Sequence, residues 1–187
     1  MRPLACLVVA SIVCASCARN PGAVEIPAED LPFDVSRAPD VIETPSAERR
    51  YTVYLVDRGR LSAASRELEA GRSVAPLVTL RSLLEGPSSQ EREEAITSEI
   101  PREVRLLDVE VADGGVARVD LSSEFQEPAE PLRIALRVAQ VVWTLTELAE
   151  VSSVTFAIDG EPISVTTDGG DVERRVGRDD YQGFAPS

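Results

Sequence analysis

The segment Pro131–Glu150, PLRIALRVAQVVWTLTELAE, constrains the fold of this chain more than any other. Proline opens it, glycine is absent from it, and most of its residues favour helix. On a helix, Arg133, Arg137, Gln140, Thr144 and Glu147 line up as one narrow polar stripe. Nearly everything else is apolar, from Leu132 and Ile134 to Trp143, Leu145 and Leu148. A helix with so narrow a polar stripe is buried around most of its circumference. One sheet covers one side of a helix, so the other side must meet a second helix or a partner.

The flanking segments supply those layers. Tyr51–Val56 is rich in β-formers and ends at a turn, Asp57-Arg58-Gly59. Leu61 to Glu69 has helix-leaning composition, but Gly59 and Gly71 bracket it at hairpin spacing, and a strand is expected. Val74–Glu85 reads as a helix, with Ser73 as its cap and Pro76 in its first turn. Leu77, Leu80 and Leu84 form its apolar face, and Gly86-Pro87 ends it. A polar loop is expected from Ser88 to Ser98. Glu103–Ala112 and Val116–Leu121 form a hairpin across Asp113-Gly114-Gly115, and the neighbours Leu106 and Leu107 imply a bulge. After the long helix, Val151–Ile158 is a strand, Asp159-Gly160 a turn, and Ile163 and Val165 belong to a final strand. Asp168–Asp171 is a loop before a polar end. The order β(β)αββαββ defines a small α+β domain, with two helices packed on one face of a largely antiparallel sheet.

The N-terminus is of a different kind. Met1-Arg2-Pro3 precedes an uncharged run from Leu4 to Ala15, too short to span a bilayer and of the length of a signal-peptide core. Ala15, Ser16 and Cys17 follow, small residues before a cysteine, as in a lipobox. Residue Cys14 stands where leucine is usual, and an ordinary cleaved signal is the other reading. The expected organisation is a signal peptide over 1–16, lipidation of Cys17, a tether over 17–48, the folded domain over 49–182 and a disordered tail over 183–187. The tether carries five prolines and two arginines against seven acidic residues, a net of −5. Such a segment is extended and self-repelling, reaching on the order of 3 Å per residue at full extension. Phe33 and Val35 within it offer a partner-docking alternative.

Composition narrows the function classes. The net charge of −13 opposes nucleic-acid binding. The chain has no histidine, which removes the usual base for serine and cysteine nucleophiles and the commonest zinc ligand. Its three cysteines, Cys6, Cys14 and Cys17, all precede the domain. A thiol nucleophile, a zinc site and a disulfide framework inside the domain are thereby excluded. The carboxylate pairs Asp179 with Asp180, Asp168 with Asp171 and Asp159 with Glu161 could in principle do acid–base work. With 32 acidic residues such pairs arise by chance, and these sit in turns. Asp168–Glu173 does not match an EF-hand loop. No Gly-rich loop joins a strand to a helix, so nucleotide binding has no support. Neither a metal nor a cofactor is expected.

Several stretches acquire meaning together: Leu83–Ser88, Ile100-Pro101, Ala117–Ser122 with Phe125, Gln140–Glu147, Val154–Gly160, and Arg178-Asp179-Asp180-Tyr181. In this order and spacing, from Tyr51 to Tyr181, the chain resembles the GerMN domain, named for a sporulation and spore-germination lipoprotein. The resemblance implies a small domain of envelope proteins, similar in fold to ring-building domains of sporulation secretion complexes, and no established enzymatic activity or catalytic residues. The spore protein carries two copies and this chain one. The expectation is a non-catalytic lipoprotein on the outer face of the bacterial cytoplasmic membrane, whose domain binds an envelope protein or peptidoglycan. The alternative is an activator or accessory factor of a cell-wall amidase or hydrolase. Trp143 is expected in the core, or else as a ligand platform.

Overall fold

The computed structural model describes residues 50–68 and 74–186. The signal segment, Cys17, the tether and the expected Ser73 cap lie outside the described residues. In chain order the elements are β1 (Arg50–Asp57), β2 (Arg60–Glu67), α1 (Pro76–Glu85), α2 (Ser89–Glu93), β3 (Leu106–Ala112) and β4 (Val116–Leu121). After a short 3-10 turn at Ser123–Gln126 come α3 (Pro131–Leu145), β5 (Ser153–Ile158), β6 (Glu161–Pro162), β7 (Val165–Thr167) and β8 (Gly170–Val172). A second 3-10 segment, Arg178–Phe184, follows.

The class is α+β, as the order of segments implies, and the pairing is mostly antiparallel. The strands are shared among three sheets rather than one: β1-β2, β3-β4-β5-β6 and β7-β8. The parallel pair, β4 with β5, is joined by α3 as its crossover helix. Two hairpins turn through a left-handed pair, Arg58-Gly59 and Asp159-Gly160, the conformation that matches the twist of the flanking strands. The bulge falls where the adjacent leucines place it. Leu106 pairs with Leu121 and Asp108 with Asp120, so Leu107 is the extra residue.

Other elements differ from expectation. Helix α1 begins at Pro76, with Ala75 at its N-cap position and no side-chain cap. Its buried face is Thr79, Leu80, Ser82 and Leu83, while Leu77 is exposed, because the helix is rotated from the face that its leucines mark. The expected polar loop contains α2, started by a capping box in which Ser88 Oγ accepts from the Glu91 amide and Glu91 accepts from the Ser88 amide. Helix α3 stops at Leu145, five residues short of Glu150. The strand expected through Ile163 and Val165 is interrupted, and Val165–Thr167 pairs instead with Gly170–Val172 from the expected loop. The C-terminal end is no tail as far as Pro186: Val176 bridges to Val154, and Tyr181 and Phe184 are buried in the core.

The polar stripe on α3 is exposed at its two ends, Arg133 and Glu147, and buried between them. From Ala135 to Leu145 every residue of the helix is buried, Arg137, Gln140 and Thr144 included. These groups are tolerated inside because they complete a strand edge. Strand β1 pairs with β2 on one edge. On the other edge the Tyr54 amide donates to Thr144 Oγ1 (2.9 Å), and Gln140 Nε2 donates to the Tyr54 carbonyl (3.0 Å). Two residues on, Val56 exchanges backbone bonds with Thr97 at 2.9 and 2.8 Å. Gln140 Oε1 accepts from the Glu99 amide at 2.8 Å, tying the same side chain to that loop. The helix therefore acts as the missing neighbour strand.

This arrangement separates two members of one stripe. Gln140→Leu leaves the Tyr54 carbonyl and the Glu99 amide unpaired in the core, and a loss of about 2 kcal/mol or more is expected in urea denaturation, with an unchanged m-value. Arg133→Ala removes only a half-exposed pair with Glu99 and should cost about 1 kcal/mol or less. Equal, small effects would place the stripe at the surface.

Candidate functional site

Helix α3 also organises the groups around Trp143. The Tyr54 ring meets Trp143 edge-on, with centroids 5.5 Å apart. The Arg178 guanidinium lies 4.6 Å from the Trp143 centroid and 5.8 Å from that of Tyr54. It is held there by Glu147 (2.5 Å), by Thr146 Oγ1 (2.9 Å) and by the Trp143 carbonyl (3.3 Å). The Tyr54 hydroxyl donates to the same Glu147 carboxylate at 3.1 Å. Burial, and after it the Glu147 charge, push the Tyr54 hydroxyl above its ordinary pKa, so it remains a neutral donor. Trp143 is thus a core residue and not an open platform. Its indole N–H is buried without a partner among the described residues. The motif residues Trp143 and Glu147 and the sequence-distant Arg178 form one cluster that fastens the C-terminal segment to α3.

The flagged carboxylate pairs do not assemble a catalytic pair. Asp180 binds Arg174 at 2.5 Å and accepts the Gly177 amide at 2.8 Å, capping the C-terminal 3-10 segment. Asp168 accepts the Gly183 amide at 2.8 Å, and Asp171 accepts the Thr166 hydroxyl at 2.7 Å. Asp159 occupies a left-handed turn position. Asp168, Asp171 and Asp180 thus each hold a local structural contact. Among the described residues no cluster of three metal-ligating side chains occurs. No described helix is long and apolar enough to cross a membrane.

Sequence reasoning missed the surface feature that stands out, the outer edge of the four-stranded sheet. Strand β3 ends that sheet, with no strand beyond it among the described residues. The bulge residue Leu107 is 47% exposed and Val111 37% exposed. Val109 and Val111 lie opposite Val119 and Ala117 and continue the apolar face of β4 outward. Between them, the exposed Asp108 and Glu110 place acidic groups on the other face, with Glu110 opposite Arg118. A signal for this existed in the alternation of 107–111, which leaves one face apolar at a terminal strand.

The fold and its geometry define a small α+β domain built around one buried helix, with an open sheet edge. The family model described as "Germane: Sporulation and spore germination" matches residues 52–164, and the chain belongs to that family. Solved structures share the fold. The tandem GerMN domains of the sporulation protein GerM from Bacillus subtilis are 20% identical, with a TM-score of 0.57, over 71% of this chain and 47% of that one. This chain therefore spans about half the length of that tandem protein. The first GerMN domain alone is 19% identical, with a TM-score of 0.54, over 71% of this chain and 99% of that one. A putative lipoprotein from Clostridium perfringens is 15% identical, with a TM-score of 0.51, over 74% of this chain and 93% of that one. No curated protein matches the chain.

Two carboxylates give the domain a defined acid response. The hydrogen bond from Arg174 holds Asp180 below the usual carboxylate range, against its partial burial. The hydrogen bond from Arg66 does the same to Glu91. A depressed folded pKa contributes stability that is present above the unfolded pKa and lost as pH falls through the folded one. Unfolding free energy should therefore decline below about pH 4.5. The deficit of Asp180→Asn relative to the wild type at neutral pH should shrink as pH falls below about 4, as chemical denaturation at several pH values will measure.

Proposed function

We propose that this is a non-catalytic, lipid-anchored protein of the bacterial cell envelope whose Germane domain binds an envelope partner. Cys17 carries the lipid, residues 17–48 tether the domain, and the protein sits outside the cytoplasmic membrane. The family is associated with sporulation and germination, and a structural neighbour described as a putative lipoprotein supports the placement.

The observation that carries the binding reading is the open edge of β3 with Leu107 and Val111 exposed beside it. A terminal strand presents backbone groups beyond its own ladder, here with the Val109 amide donating to Asp108 Oδ1 at 2.9 Å, and natural proteins usually blunt such an edge or use it. Strand addition takes affinity from the backbone bonds and selectivity from alternate side chains. A protein partner suits this geometry better than a glycan, because only a polypeptide offers a matching ladder. The acidic residues Asp108 and Glu110 oppose a second copy pairing antiparallel at this edge, where like charges would face each other.

Photocrosslinking in cells from positions 107 and 111 is expected to capture one dominant envelope protein. The variants Leu107→Arg and Val111→Arg should keep the thermal midpoint within a few degrees, on the scale of surface substitutions, while capture falls at least about tenfold. Glycan fragments as the sole captured species would refute the protein-partner reading. The anchor has its own test: Cys17→Ser should move the protein to the soluble fraction and abolish fatty-acid labelling.

A further inference from the structure

Helix α1 carries a row of residues that its own packing leaves outside. Leu77, Arg81 and Leu84 stand at i, i+4 and i+7 and share one face of the helix. Leu77 in that row is 42% exposed. A groove of about 430 Å³ lies between α1, the loop before β3 and the first residue of β3. Leu84 and Leu106, both half-buried, give it an apolar lining. Arg81, Arg102 and Arg105, all exposed, line it as well. Glu85 is the one carboxylate among its lining residues.

The chain has a net charge of −13, so a concentration of cations on its surface runs against the average. Arg66, Arg133, Arg174 and Arg178 are each held by a carboxylate. By contrast, neither Arg81 nor Arg102 makes a side-chain hydrogen bond or ion pair among the described residues. Arg105 is close enough to attract the Glu124 charge. With Glu85 and Glu124 both counted, three cations meet two carboxylates, and an excess of one positive charge remains. Glu103 is exposed beside Arg102 in sequence and does not line the groove. Recruiting Arg81 and Arg102 to a ligand therefore breaks no internal contact.

We propose that this groove binds an acidic and apolar segment of a partner polypeptide, with carboxylates on Arg81 and Arg102 and apolar side chains against Leu84 and Leu106. Arginine clusters recognise acidic motifs through paired N–H donors, and an apolar floor beneath them excludes water. An anionic membrane suits the place less well, because a plane also meets the neighbouring exposed acids Glu85, Glu103 and Asp108, whereas a peptide meets only the groove. The groove ends on Leu106, the first residue of β3, next to the exposed Leu107. A strand added to β3 continues into it, so the partner is the one already proposed for that edge, and in this respect the inference rests on the strand-addition reading.

The test is NMR titration of the full chain with N-acetyl-Glu-Leu-Glu-Leu-Glu amide and with its glutamine counterpart, N-acetyl-Gln-Leu-Gln-Leu-Gln amide. The acidic peptide should bind saturably, at least about tenfold more tightly than the glutamine peptide, and more weakly as salt is raised. The double variant Arg81→Glu with Arg102→Glu should lose that binding at an unchanged thermal midpoint and bind N-acetyl-Lys-Leu-Lys-Leu-Lys amide instead. Val111→Arg, near the far end of β3, should leave peptide binding unchanged while it reduces capture in cells, so failure of the groove and failure of the strand edge read out separately. Photocrosslinking in cells from position 81 should capture the same protein as from position 107. Equal binding of the acidic and glutamine peptides, retained binding in the folded double variant, or a different protein captured from position 81 would overturn the proposal. So would the absence of saturable binding of the acidic peptide, whether or not vesicles of phosphatidylglycerol bind in its place.

Discussion

The structure depends on a helix that substitutes for a strand. The outer edge of β1 is satisfied by Gln140, Thr144 and the backbone of Thr97, which together replace a neighbouring ladder. A strand edge buried against an all-apolar helix would leave the Tyr54 amide and carbonyl unpaired, at roughly 1–3 kcal/mol each. Two side chains spaced one turn apart on α3 meet the two backbone groups of one residue. That match fixes both the rotation and the axial position of the helix against β1. It explains how a buried helix retains three polar residues without forfeiting stability.

The rest of the domain is hung from the same helix. Arg137 collects the carbonyls of Glu99, Phe125 and Glu127, so one side chain gathers the loop before β3 and the turn after β4. One turn beyond Trp143, Glu147 holds Arg178 across the indole face, and the C-terminal segment closes over the helix with Tyr181 buried. The Tyr181 hydroxyl donates to the Thr166 carbonyl at 3.1 Å and links that segment to β7. The strands are spread over three sheets, and α3 is the element they share as a packing partner. This is why the longest apolar run in the domain is a helix and not a strand.

Much of this was legible in the sequence. The hairpin turns at Arg58-Gly59 and Asp159-Gly160, the bulge at Leu107 and the buried alternation of Ala117, Val119 and Leu121 all follow from local rules that tertiary context leaves untouched. The direction of the α3 stripe was not legible, because periodicity reports that polar residues share a face and not whether that face meets water or a strand edge. The same blindness affected α1, where Thr79 and Ser82 are buried and Leu77 is not. The C-terminal segment was misjudged because its charges outnumber its apolar groups. Yet Arg174 pairs with Asp180, and Arg178 with Glu147, which leaves Tyr181 and Phe184 to be buried. As for the candidate sites, the alternation of 107–111 is a signal for the β3 edge, while the groove beside it joins arginines from α1 and from the loop before β3, which only packing brings together. Within the core, the sequence marked Arg137 only as a stripe residue. Its meaning comes from three carbonyls supplied by segments 10 to 38 residues away.

Burial and exposure are inverted in this domain in a way that bears on function. Polar residues of α3 are spent inside, while leucine and valine at the end of the four-stranded sheet are left outside. An exposed apolar edge invites unwanted pairing. The polar interior is accounted for by the strand edge it completes. The apolar exterior has no such internal account: Leu107 sits on a bulge that breaks the register of its own ladder, and Val111 lies on a terminal strand. Bulges re-aim side chains at sheet edges. Here the bulge displays a leucine to the surroundings, and that placement is the feature on which the proposed strand addition rests.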